Sequence, residues 1–256
     1  MNLEPARRVA ETLLYDGFNI YPYRRAQTTR QRRWSFGGLY PRGYSVWAPE
    51  GVSYAQQMQC LVDGPPDTVV EVCVRCLQAI ERDPGHQREA IERELQIVPF
   101  TLAQACDEPL RQRFVFDAAR ETQPLRDGDG RVVCVQVRTR RLITGEVIIQ
   151  AQRLSEHCYR LTVRAENHSP FDPSEPWTED SAALYSLGAV HTVVVVRNGR
   201  FVSLIDPPAK LRLHAAECVN RGCFPVLVGD RDACDTLLAS PTILPDYPEL
   251  IWSRTQ

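Results

Sequence analysis

Along the middle of the chain apolar and polar residues take turns, one by one. In residues 70–76, Val70, Val72, Val74 and Cys76 alternate with Glu71, Cys73 and Arg75. The same period of two runs through 133–138 (Val133, Val135, Val137), 147–152 (Val147, Ile149, Ala151) and 159–166 (Tyr159, Leu161, Val163, Ala165). Successive side chains of a strand point to opposite faces, so each segment predicts a strand with one face in a core and one in water. Strands of that kind belong to antiparallel sheet. Short connections at Ile143-Thr144-Gly145 and Ser155-Glu156-His157 are expected to join them. A further hairpin is expected over 189–205, where Asn198-Gly199 separates VVVVR from RFVSLI. Several such strands in series predict a mainly β protein, an antiparallel β-sandwich over 57–205. Val72, Val74, Val135, Val137, Ile149, Leu161, Val163, Val194, Val196 and Leu204 are its expected core.

The flanks read differently. Val9 and Leu13 share a face at helical spacing, which predicts a short N-terminal helix over 4–15 that Gly17 ends. One C-terminal helix is expected over 207–220, with Asp206 as N-cap, Pro207 in the first turn and Asn220-Arg221-Gly222 closing it. Residues 224–228 read as a short buried strand, and the chain from Pro241 reads as irregular. Residues 81–90, 101–130 and 167–182 read as loops. The organisation is then an N-terminal helix and Arg/aromatic-rich segment (1–56) packed on the sandwich (57–205), followed by a helix, a short strand and an irregular tail (206–256).

Composition narrows the class without naming a reaction. With 256 residues, 43% of them hydrophobic and 24% charged, the chain suits a globular protein able to bury a core without disulfides or metal. A net charge of −2 supplies no global field toward nucleic acid or a membrane. No run approaches the length of a membrane-spanning helix, and no secretory leader is recognisable at the N-terminus. Nine scattered cysteines, an odd number, argue for reduced thiols and a cytoplasmic location.

Residues 18–48 stand apart. They hold six arginines, eight aromatics and no acid. Two strands fit there, 19–23 and 33–40, bridged by a basic loop. Pro22 suits an edge strand, and Tyr21 and Tyr23 share one of its faces. Rigid aromatics beside planar guanidinium groups give large contact area at low entropic cost, so Tyr21, Tyr23, Arg24, Arg33 and Trp34 are the expected surface for a protein partner. The same residues could stack bases and track the phosphates of a single strand. The rest of the chain carries the balancing acids, which disfavours nucleic acid and leaves internal pairing open.

Candidate chemistry is sparse. Cys73-Val74-Arg75-Cys76 is a CxxC, but on a strand it would send Cys76 to the core and Cys73 to solvent, and no second pair completes a zinc site. His214 and Cys218 are spaced to share a helix face, and with Cys223 and Cys234 they form the one candidate metal set. Asp127-Gly128-Asp129-Gly130 lacks the remaining ligands of a calcium loop and reads as a hairpin turn. His191, in an apolar run, reads as a hydrogen-bonded core residue. No GxSxG, HExxH, P-loop or GxGxxG occurs, and no cofactor is expected.

Three stretches belong together: LLYDGFNIYPYRRAQTTRQRRWSFGGLYP (13–41), RFVSLIDPP (200–208) and CFPVLVGDRDACDTLLASPTILPDYPEL (223–250). Together they resemble an accessory family of uncharacterised chemistry found in gene clusters of actinobacterial-type [NiFe]-hydrogenases. The matching blocks cover about a quarter of the chain, and the strands between them agree only in pattern. The cysteines of CVRC fall where that family has ordinary strand residues. The β-sandwich pattern, the absence of a catalytic constellation and the Arg/aromatic segment point to a non-catalytic accessory or assembly role through protein contacts, and the resemblance implies a hydrogenase subunit or maturation factor as partner. A metal-handling protein using the C-terminal Cys/His set and a single-strand binder using 18–48 are the competing readings.

Overall fold

The computed structural model describes residues 37–48, 51–83 and 87–248. The expected helix at 4–15, the strand at 19–23 and Tyr21, Tyr23, Arg24, Arg33 and Trp34 all lie outside these residues. In chain order the strands are β1 (Ala55–Asp63), β2 (Val69–Asp83), β3 (Gln87–Gln96), β4 (Phe100–Thr101), β5 (Leu110–Phe116), β6 (Ala119–Arg126) and β7 (Val132–Arg140). They continue with β8 (Ile143–Arg153), β9 (Cys158–Asn167), β10 (Leu187–Arg197), β11 (Arg200–Val202), β12 (Phe224–Leu227) and β13 (Thr236–Ser240). The described helices are short: α1 (Arg42–Trp47), α2 (Leu102–Asp107), α3 (Glu179–Ala183) and α4 (Arg212–Ala216).

The strands form two antiparallel sheets packed face to face, as the alternation predicts. One has the order β11-β1-β9-β8-β5, the other β12-β13-β10-β2-β7-β6. The long strand β2 pairs with β10 and then β7 along one edge, and with β4 and β3 along the other. Between the sheets lies the main core. Val70, Val72, Val74 and Cys76 of β2, Val194 and Val196 of β10, Val147 and Ile149 of β8, and Leu161 and Val163 of β9 are all buried in it. Leu204 is only partly buried, against a smaller cluster around Leu61 and Leu211.

Several expectations are corrected. Val135 is 51% exposed and Val133 62%, and Val137 is half-buried. These valines alternate correctly, but β7 pairs with β2 only through residues 137–140 and the rest of it pairs with β6 alone. Alternation reports a two-faced strand; it does not report which face meets the other sheet, and here the valines share the outer face with Asp83. Cys73 does point away from Cys76, yet it is 3% exposed. It packs on the outer face of the second sheet with Val193, Val195, Val226, Val228 and Leu238, and Leu244 of the tail lies against this cluster.

Asn198-Gly199 does not make a hairpin. It hands the chain from β10 in one sheet to β11 in the other, where Arg200 pairs with Asp63 of β1. Asn198 takes φ 61°. Its carbonyl accepts the Thr68 hydroxyl at 2.7 Å, which ties this crossing to the neighbouring β1–β2 crossing. A Cβ on Gly199 would lie 2.8 Å from Thr68 Cγ2, so the close approach selects glycine. Residues 143–145 are the start of β8 rather than a turn; a Cβ on Gly145 would stand 2.3 Å from both the Phe114 ring and the Glu166 carbonyl.

Of the expected helix at 207–220 the structure keeps a 3-10 turn over Ala209–Leu211 and the short α4. Asp206 caps neither: Pro208 stands at the N-cap without a side-chain bond, and the Asp206 N–H donates to Ser203 Oγ at 2.9 Å. Two consecutive prolines displace the helix start past the expected cap. Residues 81–83, 87–90 and 101–130 hold strand and helix instead of loop. There α2 starts at a capping box in which Thr101 Oγ1 accepts the Gln104 N–H and Gln104 Oε1 accepts the Thr101 N–H. Beyond 205, β12 and β13 extend the second sheet, so the sandwich continues into the C-terminal segment.

Candidate docking site

Beyond the sandwich, β6 and β7 form a two-stranded ribbon. Past Val137 it has no third strand among the described residues. The tip is built by Asp127, as a turn and not as an ion loop. Its Oδ1 accepts the N–H groups of Asp129 at 3.0 Å and Arg131 at 2.9 Å, and Gly130 takes φ 79°. Arg126 reaches across to the Gly130 carbonyl at 2.7 Å. A short-range Asx turn of this kind fixes the register of the hairpin.

The pleat gives the ribbon two chemistries. One face carries Val133, Val135 and Val137, with Pro124 opposite Val135. At its base a cleft of about 330 Å³ is lined by Glu81, Asp83, Arg120, Val137, Thr139 and Arg141. The other face continues the core side of β2 and is charged. Arg82 and Arg138 both pair with Glu89, the latter at 2.9 Å, and Arg140 pairs with Glu121 at 3.3 Å. Arg93 of β3 donates to Gln78 Oε1 at 2.8 Å and lies over the Phe116 ring at 5.1 Å, at the rim where the sandwich ends. Burial and the adjacent Arg140 guanidinium pull the Arg93 pKa below its usual value. The Nε atoms of Arg82, Arg138 and Arg140 are buried and have no hydrogen-bond partner.

The candidate metal residues are not brought together. His214 Nδ1 lies 3.8 Å from Glu217 Oε2, and the Cys218 thiol donates to the His214 carbonyl at 3.5 Å. Cys223 belongs to the main core, where its thiol donates to the Gln57 carbonyl at 3.3 Å and burial pushes its pKa up to about 12. Cys234 sits apart, bonded to Tyr247 Oη at 3.2 Å. Among the described residues no three His, Cys, Asp or Glu side chains are grouped as metal ligands. All nine cysteines are free thiols.

His191 is the core residue the sequence predicts. It is fully buried, with Nδ1 2.7 Å from the Ala189 carbonyl and Nε2 3.2 Å from Ser240 Oγ, and burial lowers its pKa to about 4. A polar basin of about 550 Å³ at β8 and β9 is lined by Gln59, Gln150, Gln152, Arg153, Arg160 and Thr162. Its groups are largely engaged with one another: Arg160 pairs with Glu217 at 2.6 Å, and Gln59 bonds Thr162 Oγ1 at 3.1 Å and the Val219 N–H at 2.7 Å.

Sequence reasoning missed the ribbon because its valines carry the signature of core. The missing signal lay in their partner strand, 119–126, which is polar on both faces apart from Ala119, Pro124 and Leu125. No helix among the described residues is long and apolar enough to cross a membrane. A scan against family models finds no match to this chain, and a search of curated proteins finds no matching sequence.

Proposed function

We propose that this chain is a non-catalytic accessory or assembly protein that docks another protein on the valine face of the β6–β7 ribbon. The observation that carries the reading is the exposure of Val133 and Val135 on a ribbon that leaves the sandwich behind. A two-stranded hairpin is marginal in water on its own, and clustered exposed apolar side chains mark interaction sites. Pro124 removes a donor from edge strand β6, which favours contact through the face over strand addition along the edge. The resemblance to hydrogenase-cluster accessory proteins supplies the class of partner, a hydrogenase subunit or maturation factor.

The test is made in the native host. The Val133→Asp, Val135→Asp double variant is expected to lose the co-purifying partner while its melting temperature stays at that of the parent. A partner retained at full yield by a folded double variant contradicts the reading.

A further inference from the structure

The valine face accounts for only one side of the ribbon. The opposite side, at the same end of the molecule, holds four arginines, Arg82, Arg93, Arg138 and Arg140, against three acids, Glu89, Glu121 and Asp117. Arginines in such a layer repel one another unless acids separate them, and the pairing here is incomplete. Three guanidinium Nε atoms are shielded from water and donate to nothing. A ligand cannot reach those Nε atoms, but the Arg82, Arg138 and Arg140 side chains keep 28%, 29% and 31% exposure, and their terminal nitrogens can receive a carboxylate. Glu89 already shows the arrangement, one carboxylate shared by Arg82 and Arg138.

We infer that this arginine layer receives the carboxylates of an acidic segment of the docked protein, so that the ribbon is gripped on both faces. The inference rests on the docking reading and adds the chemistry of the partner. Nucleic acid fits less well. A continuous phosphate backbone would run against Glu89 and Glu121 as well as the arginines, whereas spaced carboxylates can be set between them. Among the described residues the ring in contact with the layer is Phe116, which is already covered by Arg93.

Fluorescence anisotropy of the purified full chain with labelled hexaglutamate tests this directly, with hexaglutamine and hexathymidylate as comparison probes. Hexaglutamate should bind, hexaglutamine should not, and the affinity should fall as salt rises. The Arg138→Gln, Arg140→Gln pair should weaken hexaglutamate by about tenfold or more, the size expected when two charge-assisted contacts go. The Arg138→Lys, Arg140→Lys pair keeps the charge and removes the paired terminal nitrogens of the guanidinium, and it should weaken binding too. Equal binding of the two peptides overturns the inference. So does unchanged affinity in the Lys pair, which stays decisive if the Gln pair fails to fold. Tighter binding of hexathymidylate would reassign the layer to phosphate. None of these readings needs the partner, so failure here is separate from failure of the valine face.

Discussion

Single residues in this fold are tested by what surrounds them. His191 is neutral in the folded state because burial lowers its pKa to about 4, while the unfolded imidazole titrates at its ordinary value of 6.5. Between those values the unfolded chain binds more protons, so the contribution is fully present above the unfolded pKa and is lost as pH falls toward 4. The gap corresponds to about 3 kcal/mol. Urea unfolding at pH 7 and pH 4 should show that much less pH dependence in His191→Gln than in the parent; identical pH dependence would place the imidazole in water. Cys73 and Cys76 are both buried, on opposite faces. Serine at either position should therefore cost about 1–3 kcal/mol, because a hydroxyl is costlier than a thiol to take out of water. A harmless Cys73→Ser would mean that the outer cluster with Val193 and Leu238 does not form. Asp206→Asn should change the denaturation midpoint very little, since Asp206 caps no helix.

Elements were legible where a second layer covers them. Alternation in β2, β8 and β9 predicts their inward faces correctly because both sheets are present there. In β7 the identical pattern misleads, since Val133, Val135 and Val137 fall on the outer face, Val137 beside Asp83, while Arg138 and Arg140 take the core side. Strand β3 pairs over its whole length with the 15-residue β2, and that pairing, not its own Arg- and Glu-rich sequence, makes it a strand. The Thr101-Leu102-Ala103-Gln104 capping box of α2 was visible in the sequence and could have replaced the expected loop. These contrasts set two element-level expectations. Val163→Ala, in the covered β9, should lose about 1–3 kcal/mol through the cavity it leaves. Gly145→Ala should be at least as damaging, because its Cβ would collide with Phe114 and the Glu166 carbonyl. Thermal melts that rank Gly145→Ala as neutral would refute the packing of β5 on β8.

At the scale of the whole molecule, the architecture separates a covered sandwich from an uncovered ribbon. The sandwich was readable from period-two runs; the docking end was not, because only the pairing of β7 with β2 shows that its valines face away from the core. Tyr21, Tyr23, Arg24, Arg33 and Trp34, the expected partner surface, lie outside the described residues; the ribbon lies within them. Its two faces divide the work: exposed valines on one, incompletely paired arginines on the other. A photo-crosslinking residue placed at Val135 in the native host measures the claim most directly, with the same residue at exposed Gln152 on the first sheet as control. The account predicts an adduct with one other protein from Val135 and none from Gln152. No adduct at Val135, an adduct only with a second copy of this chain, or the same adduct from both positions would contradict it.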